Sequence, residues 1–418
     1  MKFSIFTPTH KPQHLVKAAE SLKNQTYQDY EWVVLLNGNG LRSKTLPKVK
    51  KLVGDKLKIH RFEDETDCIG LLKRECCRKA TGEILVEFDH DDTLEPTCLE
   101  ELKNAFDDTT VDFVYTDCFE WRKGKATAPY SKNFGWNYTE HDGKISVNYA
   151  EPSPLGFSYI WFAPNHVRSW RRSFYEKIDG HDTTLDVCDD HDILCRTYIE
   201  GKCVRIPKPL YNYIVQEGEN TCYGEKNKRI QKLTRDLHDK WIEKMVGKWC
   251  DLNHLDKVDL CCGQAKRQGY VGVDALALPG VDIVFDLNND PWPFADNSIG
   301  MFRMQDAIEH LKDPIKTMKE LWRCLVPYGW VMIDVPSTDG RGAFQDPTHV
   351  SYWNSNSFWY YTKKQQAQYI GTPVKFQCNR LTNYFPSDFH RQCNIPYTKA
   401  HLVKLLDDGF IPPKGREI

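Results

Sequence analysis

The stretch "EILVEFDHDD", Glu83 to Asp92, places Asp89, Asp91 and Asp92 almost side by side, directly after the apolar residues Ile84, Leu85, Val86 and Phe88. Carboxylates this close repel one another. Either the segment is a solvated turn after a strand, or a cation sits there and the carboxylates are its ligands. Hard cations such as Mg²⁺ and Mn²⁺ take oxygen ligands, usually one or two carboxylates together with substrate phosphates.

The elements around the knot read as an α/β start. "KFSIFTPTH" is an apolar strand ending in a Thr-Pro turn, and a helix follows with Leu15, Val16, Ala19 and Leu22 on one face. "YEWVVLLNGNG" is a fully apolar strand closed by Asn-Gly punctuation, the pattern of a buried parallel strand. "CIGLLKRECCRKATG" then leads into the strand that carries the knot. Such doubly wound sheets place ligands at the carboxyl ends of their strands. A second beginning, "KVDLCCGQAKRQGYVGVDA", reads strand, glycine loop, strand, and continues through "GVDIVFDL" and "SIGMFRMQ". Between the two lies a charged segment with Ile230, Leu233, Leu237, Trp241 and Met245 on one stripe, an amphipathic helix that either bridges two domains or belongs to one. The expected division is residues 1–222, a bridging helix over 223–253, and a second domain over 254–418.

With 56 Lys and Arg against 58 Asp and Glu, the net charge of −2 leaves no chain-wide basic footprint for nucleic acid. The opening "MKFSIFTPTHKPQ" turns polar too soon for a secretory signal, and no run of about 18 apolar residues exists to span a bilayer. The fifteen cysteines show no C-x-x-C spacing and fall inside apparent strands and helices. Reduced thiols in a cytoplasmic protein are therefore expected, rather than a disulfide framework or a zinc site.

The first 222 residues resemble the inverting family 2 glycosyltransferases of the GT-A fold. The resemblance is carried, in order, by "SIFTPTH", "SLKNQTYQDYEWVVLLNGNG", "LLKRECCRKATGEILVEFDHDD", "RRSFYEKIDGHD" and "DDHDILCR". It implies a nucleotide-diphosphate sugar donor and a glycan or lipid-linked glycan acceptor. Asp91 becomes the main ligand of Mn²⁺ or Mg²⁺, with Asp89 near the metal or the ribose, and Thr7, Pro8 and Asn37 line the nucleoside pocket. Asp190 matches the family's catalytic base, which takes the acceptor hydroxyl's proton. For Asp189 and Asp192, capping of the following helix is an equal reading. Many relatives carry Asp at the positions of Leu36 and Asn37, so base or ribose contacts should differ here. Relatives also often hold the metal with a late histidine, where "YNYIVQEGENT" offers Gln216. Trp161, Phe162, Trp170 and Arg171 either clamp the acceptor sugar or belong to the core.

Residues 257–355 resemble class I S-adenosylmethionine-dependent methyltransferases, through "VDLCCG", "GYVGVDA", "DIVFDLNNDPWPFADNSI", "QDAIEHLKDPIKTMKELWRCLVPYGW" and "GAFQDPTHVSYW". By that resemblance Gly263 lets the backbone approach the cofactor and Asp274 takes its ribose hydroxyls. Asp259 shapes the loop, Asp286 meets the adenine, and Asp306 lies at the cofactor edge. Asp274 follows Asp259 by only fifteen residues, short of the roughly twenty of a dinucleotide fingerprint, so the first crossover helix should be stunted. Cys261 stands where relatives usually have glycine, and Tyr328 interrupts a Pro-Gly-Gly turn. Asp306, Glu309, His310 and His349 are the candidates for base chemistry, with a packing role the stronger reading for His310.

The expectation is a two-enzyme chain, an α/β protein of two doubly wound domains. The first would transfer a sugar with inversion, and the second would methylate the glycan, on oxygen. Rival readings are a glycosyltransferase with a non-catalytic methyltransferase-like scaffold, and a nucleic-acid modifying sugar or methyl transferase.

Overall fold

The computed structural model describes residues 1–42, 44–130, 136–148, 152–159, 164–216 and 226–405. The chain divides into two compact units, Met1–Met245 and Val246–Ile418. The point of division falls inside the helix Asn227–Leu252. The expected boundary near residue 222 lies outside the described residues.

The first unit is built on one mixed sheet. Its strands are β1 (Phe3–Thr9), β2 (Tyr30–Leu36), β3 (Leu57–Arg61), β4 (Ile84–Glu87), β5 (Thr93–Leu94), β6 (Phe113–Arg122), β7 (Lys125–Ala126), β8 (Asn137–His141), β9 (Lys144–Asn148), β10 (Arg168–Arg171) and β11 (Cys203–Val215). The order is β3-β2-β1-β4-β10-β6-β11-β5. β1 to β4 are mutually parallel, and β10 enters antiparallel between β4 and β6. β2 is buried at every position, as expected for a strand covered on both faces. The helix Leu15–Lys23 buries Leu15, Ala18, Ala19 and Leu22. Each such leucine stabilises by about 1.5–3 kcal/mol relative to exposure. Ala18 takes the inward place expected of Val16 because positions 15, 18, 19 and 22 fall on one helical face.

Strand order reverses between β1 and β4, so a crevice opens at their carboxyl ends. The helix Ile69–Lys79 lies over β1 and begins hard against the 182–185 loop. A Cβ on Gly70 would sit 2.1 Å from the Asp182 carbonyl oxygen. Only glycine allows that approach, and it sets Lys73 one turn later beneath the crevice. Trp170 belongs to the core: it is fully buried in β10 and its indole N–H donates to Thr197 Oγ1 at 3.0 Å. Arg171 donates to the carbonyls of Val111 and Phe106. Trp161 and Phe162 lie outside the described residues. The first part of the helix Asn227–Leu252 packs on this unit through Ile230 and Leu237 against Val187 and Cys188.

The second unit has the strands β12 (Asp256–Leu260), β13 (Val271–Asp274), β14 (Ile283–Val284), β15 (Ile299–Gln305), β16 (Leu325–Pro336), β17 (Phe376–Tyr384) and β18 (Tyr397–Lys404). Their order is β14-β13-β12-β15-β16-β18-β17, parallel through β16, with β18 antiparallel to its neighbours. Order reverses between β12 and β15, which again marks the ligand crevice. The stunted crossover is real: residues 261–270 make turns and no helix. Asp259 holds that loop instead, accepting from Arg267 N at 2.8 Å and pairing with Arg303 at 3.0 Å. Cys261 and Tyr328 both adopt positive φ, +52° and +63°. These are left-handed positions where glycine is free and a side chain is strained. Asp313 caps the helix Pro314–Cys324 through Lys316 N, with Pro at its first position, as the sequence predicts.

Candidate active sites

At the carboxyl ends of β1 and β4 the first unit opens into a cleft of about 730 Å³. Asn37, Lys73, Asp89, His166, Arg168, Asp189 and Asp190 line it. Asn37 follows β2, Asp89 lies just past β4, and Asp190 sits in the first turn of the helix Asp189–Glu200. Thr7 is fully buried beneath, its hydroxyl donating to Phe88 O at 2.7 Å and accepting from Trp32 Nε1 at 2.9 Å. Pro8 is half-buried at the end of β1, and neither residue is among those lining the cleft.

The floor is an ion network. Lys73 Nζ lies 2.6 Å from Glu87 Oε1 and 2.8 Å from Asp189 Oδ2. Arg168 reaches Glu87 at 3.5 Å and Asp190 Oδ2 at 3.3 Å. Burial works against the Lys73 charge, but Asp189, Glu87, Asp190 and Asp89 outweigh it and hold the ammonium well above the ordinary lysine value. Burial likewise opposes the Glu87 charge, yet Lys73 and Arg168 pull that carboxyl well below its ordinary value. His166 stacks on Tyr211 and directs Nε2 between Glu87, at 3.5 Å, and Asp89, at 3.6 Å. Burial pushes the nearby His181 down to about 3, so it is neutral.

The acidic clusters divide by task. Asp192 is consumed by Arg196 and by Trp241 Nε1 at 2.9 Å. Asp92 is buried and accepts from Tyr211 Oη and Ile214 N, both at 2.7 Å, which ties the knot to β11. Asp89 faces the cleft with its side chain 39% exposed. Asp91 is half-buried, and burial, with the Asp89 charge added, raises its pKa although His90 and His14 oppose this. Asp91 is not among the residues lining the cleft, but its carboxylate is held at electrostatic cost, and a divalent cation beside it would relieve both the burial and the repulsion. Gln216 turns to His14, Nε2 to Nδ1 3.4 Å. Lys73, Arg168 and His166 escaped the sequence reading. One signal existed: Glu87 interrupts the apolar run of a buried strand, so it requires a buried cation.

In the second unit Gly263 has φ +52°, with nothing within 4 Å of where a Cβ would be, so the loop leaves room above its backbone. Gly263 N donates to Asp274 Oδ2 at 2.9 Å, and Leu276 N donates to Oδ1 at 3.0 Å. Each oxygen keeps a lone pair for a ribose hydroxyl, so loop and carboxylate fit a nucleoside cofactor. Asp259 is buried near the end of β12 and spent on the loop that follows it. Asp286 is exposed and accepts from the Asn288 amide and side chain, which lower its pKa. Asp306 follows β15, accepting from Tyr397 Oη at 2.7 Å. Three residues on, burial raises Glu309 to about 8. His349 Nε2 stands 3.9 Å from Glu309, with His310 beside it.

Comparison with known families matches residues 4–179 to glycosyl transferase family 2 and residues 254–333 to a methyltransferase domain. The first unit is thus similar to family 2 glycosyltransferases and the second to a methyltransferase domain. The chain is an enzyme. Both domains have the α/β architecture described above, GT-A-like in the first and methyltransferase-like in the second. Chondroitin synthase and hyaluronan synthase of Pasteurella multocida are 25% and 24% identical over 220 residues, 52% of this chain and 21% of each relative. The chain thus spans about a fifth of the length of these curated relatives. Among solved structures, S. aureus TarS in complex with UDP-GlcNAc is 18% identical with TM-score 0.46, over 60% of this chain and 73% of that one. The glycosyltransferase match includes Asn37, Asp89 and Asp91 but ends before Asp190, and the methyltransferase match includes Asp274 and Glu309 but ends before His349.

Proposed function

We propose that the glycosyltransferase domain moves a sugar from a nucleotide-diphosphate donor to a glycan or lipid-linked glycan with inversion. We further propose that the methyltransferase domain methylates that glycan on oxygen from S-adenosylmethionine. The observation that carries the first reading is the meeting of Asn37, Asp89 and Asp190 in one cleft at the strand reversal. The relatives' names support a polysaccharide acceptor.

Asp89 and Asp91 would hold Mn²⁺ or Mg²⁺, which when bound supplies positive charge to the departing diphosphate. Asp190 is oriented by Arg168 and by His191 N, which donates to its Oδ1 at 2.9 Å. It accepts the acceptor hydroxyl's proton while that oxygen bonds the anomeric carbon and the sugar–phosphate bond breaks on the opposite face. In the second domain Asp274 and Gly263 would hold the ribose side of S-adenosylmethionine, the methyl donor when bound, with Asp306 at the edge of the site. The adenine contact proposed for Asp286 requires its turn to face the cofactor. The described cysteines are all free, and no helix among the described residues is long and apolar enough to cross a membrane.

Incubation with a panel of nucleotide sugars and S-adenosylmethionine, read by mass spectrometry, tests the whole reading; absence of any consumed donor would overturn it. Asp91→Asn and Asp89→Asn should each raise the Mn²⁺ concentration for half-maximal transfer by at least about tenfold. An unchanged metal titration in both variants removes the pair as ligands. Asp274→Ala should weaken S-adenosylmethionine binding by about 1–3 kcal/mol, because ribose hydroxyls lose a charged acceptor. Calorimetry on the folded variant measures it, and wild-type affinity would exclude Asp274 from the site.

A further inference from the structure

The turn after β15 holds a group that cofactor binding leaves unexplained. Glu309 has a side chain only 3% exposed, and its carboxyl oxygens have no side-chain hydrogen-bond partner among the described residues, only a weak pull from the Glu309 and Ala307 backbone. Burying a carboxylate in this way is costly unless something pairs with it.

Two imidazoles converge on it. His349 Nδ1 lies 2.9 Å from Ala343 O, and His310 Nδ1 lies 3.2 Å from Thr348 O. A carbonyl can only accept, so Nδ1 of His349 donates and its Nε2 faces the cluster, whereas His310 Nδ1 meets both the carbonyl and the hydroxyl of Thr348, each at 3.2 Å. A backbone carbonyl on the far nitrogen is how metal-bound histidines are held in tautomer and orientation. His349 Nε2 stands 3.9 Å from Glu309 Oε1, and the two imidazole centroids are 5.0 Å apart. One ligand atom from each of the three residues falls within 4.8 Å of the others. The backbone holds the set together: the amides of Val350 and Ser351 donate to Glu309 O at 2.9 and 3.0 Å. Ser351 Oγ donates to Ile308 O at 3.0 Å.

We propose that Glu309, His310 and His349 form a divalent transition-metal site in the methyltransferase domain, separate from the Asp89–Asp91 pair. Two imidazoles and one carboxylate suit Zn²⁺ first, then Mn²⁺ and Fe²⁺. Three protein ligands leave a coordination position open, the pattern of a catalytic rather than a structural zinc site. The open position suits a substrate hydroxyl, which a metal makes more acidic. That use rests on the methyltransferase reading, whereas metal binding does not.

The test uses the full chain, freed of metal with a chelator and titrated with Zn²⁺ by calorimetry and with Co²⁺ by visible absorption. A single Co²⁺ should develop d–d bands in the wild type, and Zn²⁺ should displace it. Glu309→Gln and His349→Gln should each weaken uptake by at least about tenfold while circular dichroism stays unchanged. No d–d bands in the wild type, or full uptake by both folded variants, overturns the site. A separate titration with S-adenosylmethionine keeps the two readings apart. Metal uptake without cofactor heat upholds the site and removes the methyltransferase reading. Cofactor heat without metal uptake removes the site alone.

Discussion

Replacing Asp190 with asparagine should leave donor binding intact and slow sugar transfer by about 10²–10⁴-fold, the range contributed by a positioned general base. Of the three carboxylates in the first turn of the helix Asp189–Glu200, Asp190 has the most accessible side chain, 13% exposed against 6% for Asp189 and 2% for Asp192. Asp189 is bound to Lys73, and Asp192 to Arg196 and Trp241, so neither is free to take a proton. Asparagine is nearly isosteric and still accepts from Arg168 and the His191 amide, so the fold should survive. The check is release of the nucleoside diphosphate at saturating donor, with donor affinity measured separately by calorimetry. Loss of affinity with turnover preserved would make Asp190 a binding residue.

Lys73→Met should destabilise the glycosyltransferase domain by about 3–5 kcal/mol, the usual cost of removing one partner from a buried ion network. The methionine fills the space, but Glu87 and Asp189 lose their ammonium at 2.6 and 2.8 Å, and Arg168 cannot serve both. Paired substitution with Glu87→Gln should recover part of the loss, since one orphaned charge is gone. The pH dependence follows from the two shifts. Glu87 is depressed in the fold, so its contribution is present above the ordinary glutamate value of 4.5 and is lost as pH falls through its lower folded value. Lys73 is raised, so its contribution is present below the ordinary lysine value of 10.5 and is lost only as pH rises through its higher folded value. Between those limits stability should be insensitive to this network, and the acid-side loss should be smaller in the variant. Denaturant unfolding across that range measures both. A wild-type midpoint for Lys73→Met would mean the network is solvated.

Local patterns were legible in the sequence. The apolar run of β2, the capped helix Pro314–Cys324 and the short link between Asp259 and Asp274 all appear as expected, because periodicity, capping and chain length act over a few residues. The departures at Cys261 and Tyr328 were visible only as letters. The fold shows that both take up the left-handed backbone a glycine would adopt without strain, so the turns persist despite the substitutions.

Tertiary structure decided what each charge does. Asp89, Asp91 and Asp92 are equivalent in the sequence, yet one faces the cleft, one is half-buried and one is bonded to β11. Lys73 looks like any surface lysine on a polar helix face, and Arg168 like any strand arginine. Sheet order brings both to Glu87, and β10, far along the chain, slots beside β4 to complete the contact. In the same way Glu309 and His349 meet only because the 346–351 loop docks on the turn after β15. The sequence by itself determined residue types and strand ends. Which carboxylate binds, which takes a proton and which merely holds the fold depends on burial and on partners distant in sequence, since a charge's energy is set by what surrounds it in space.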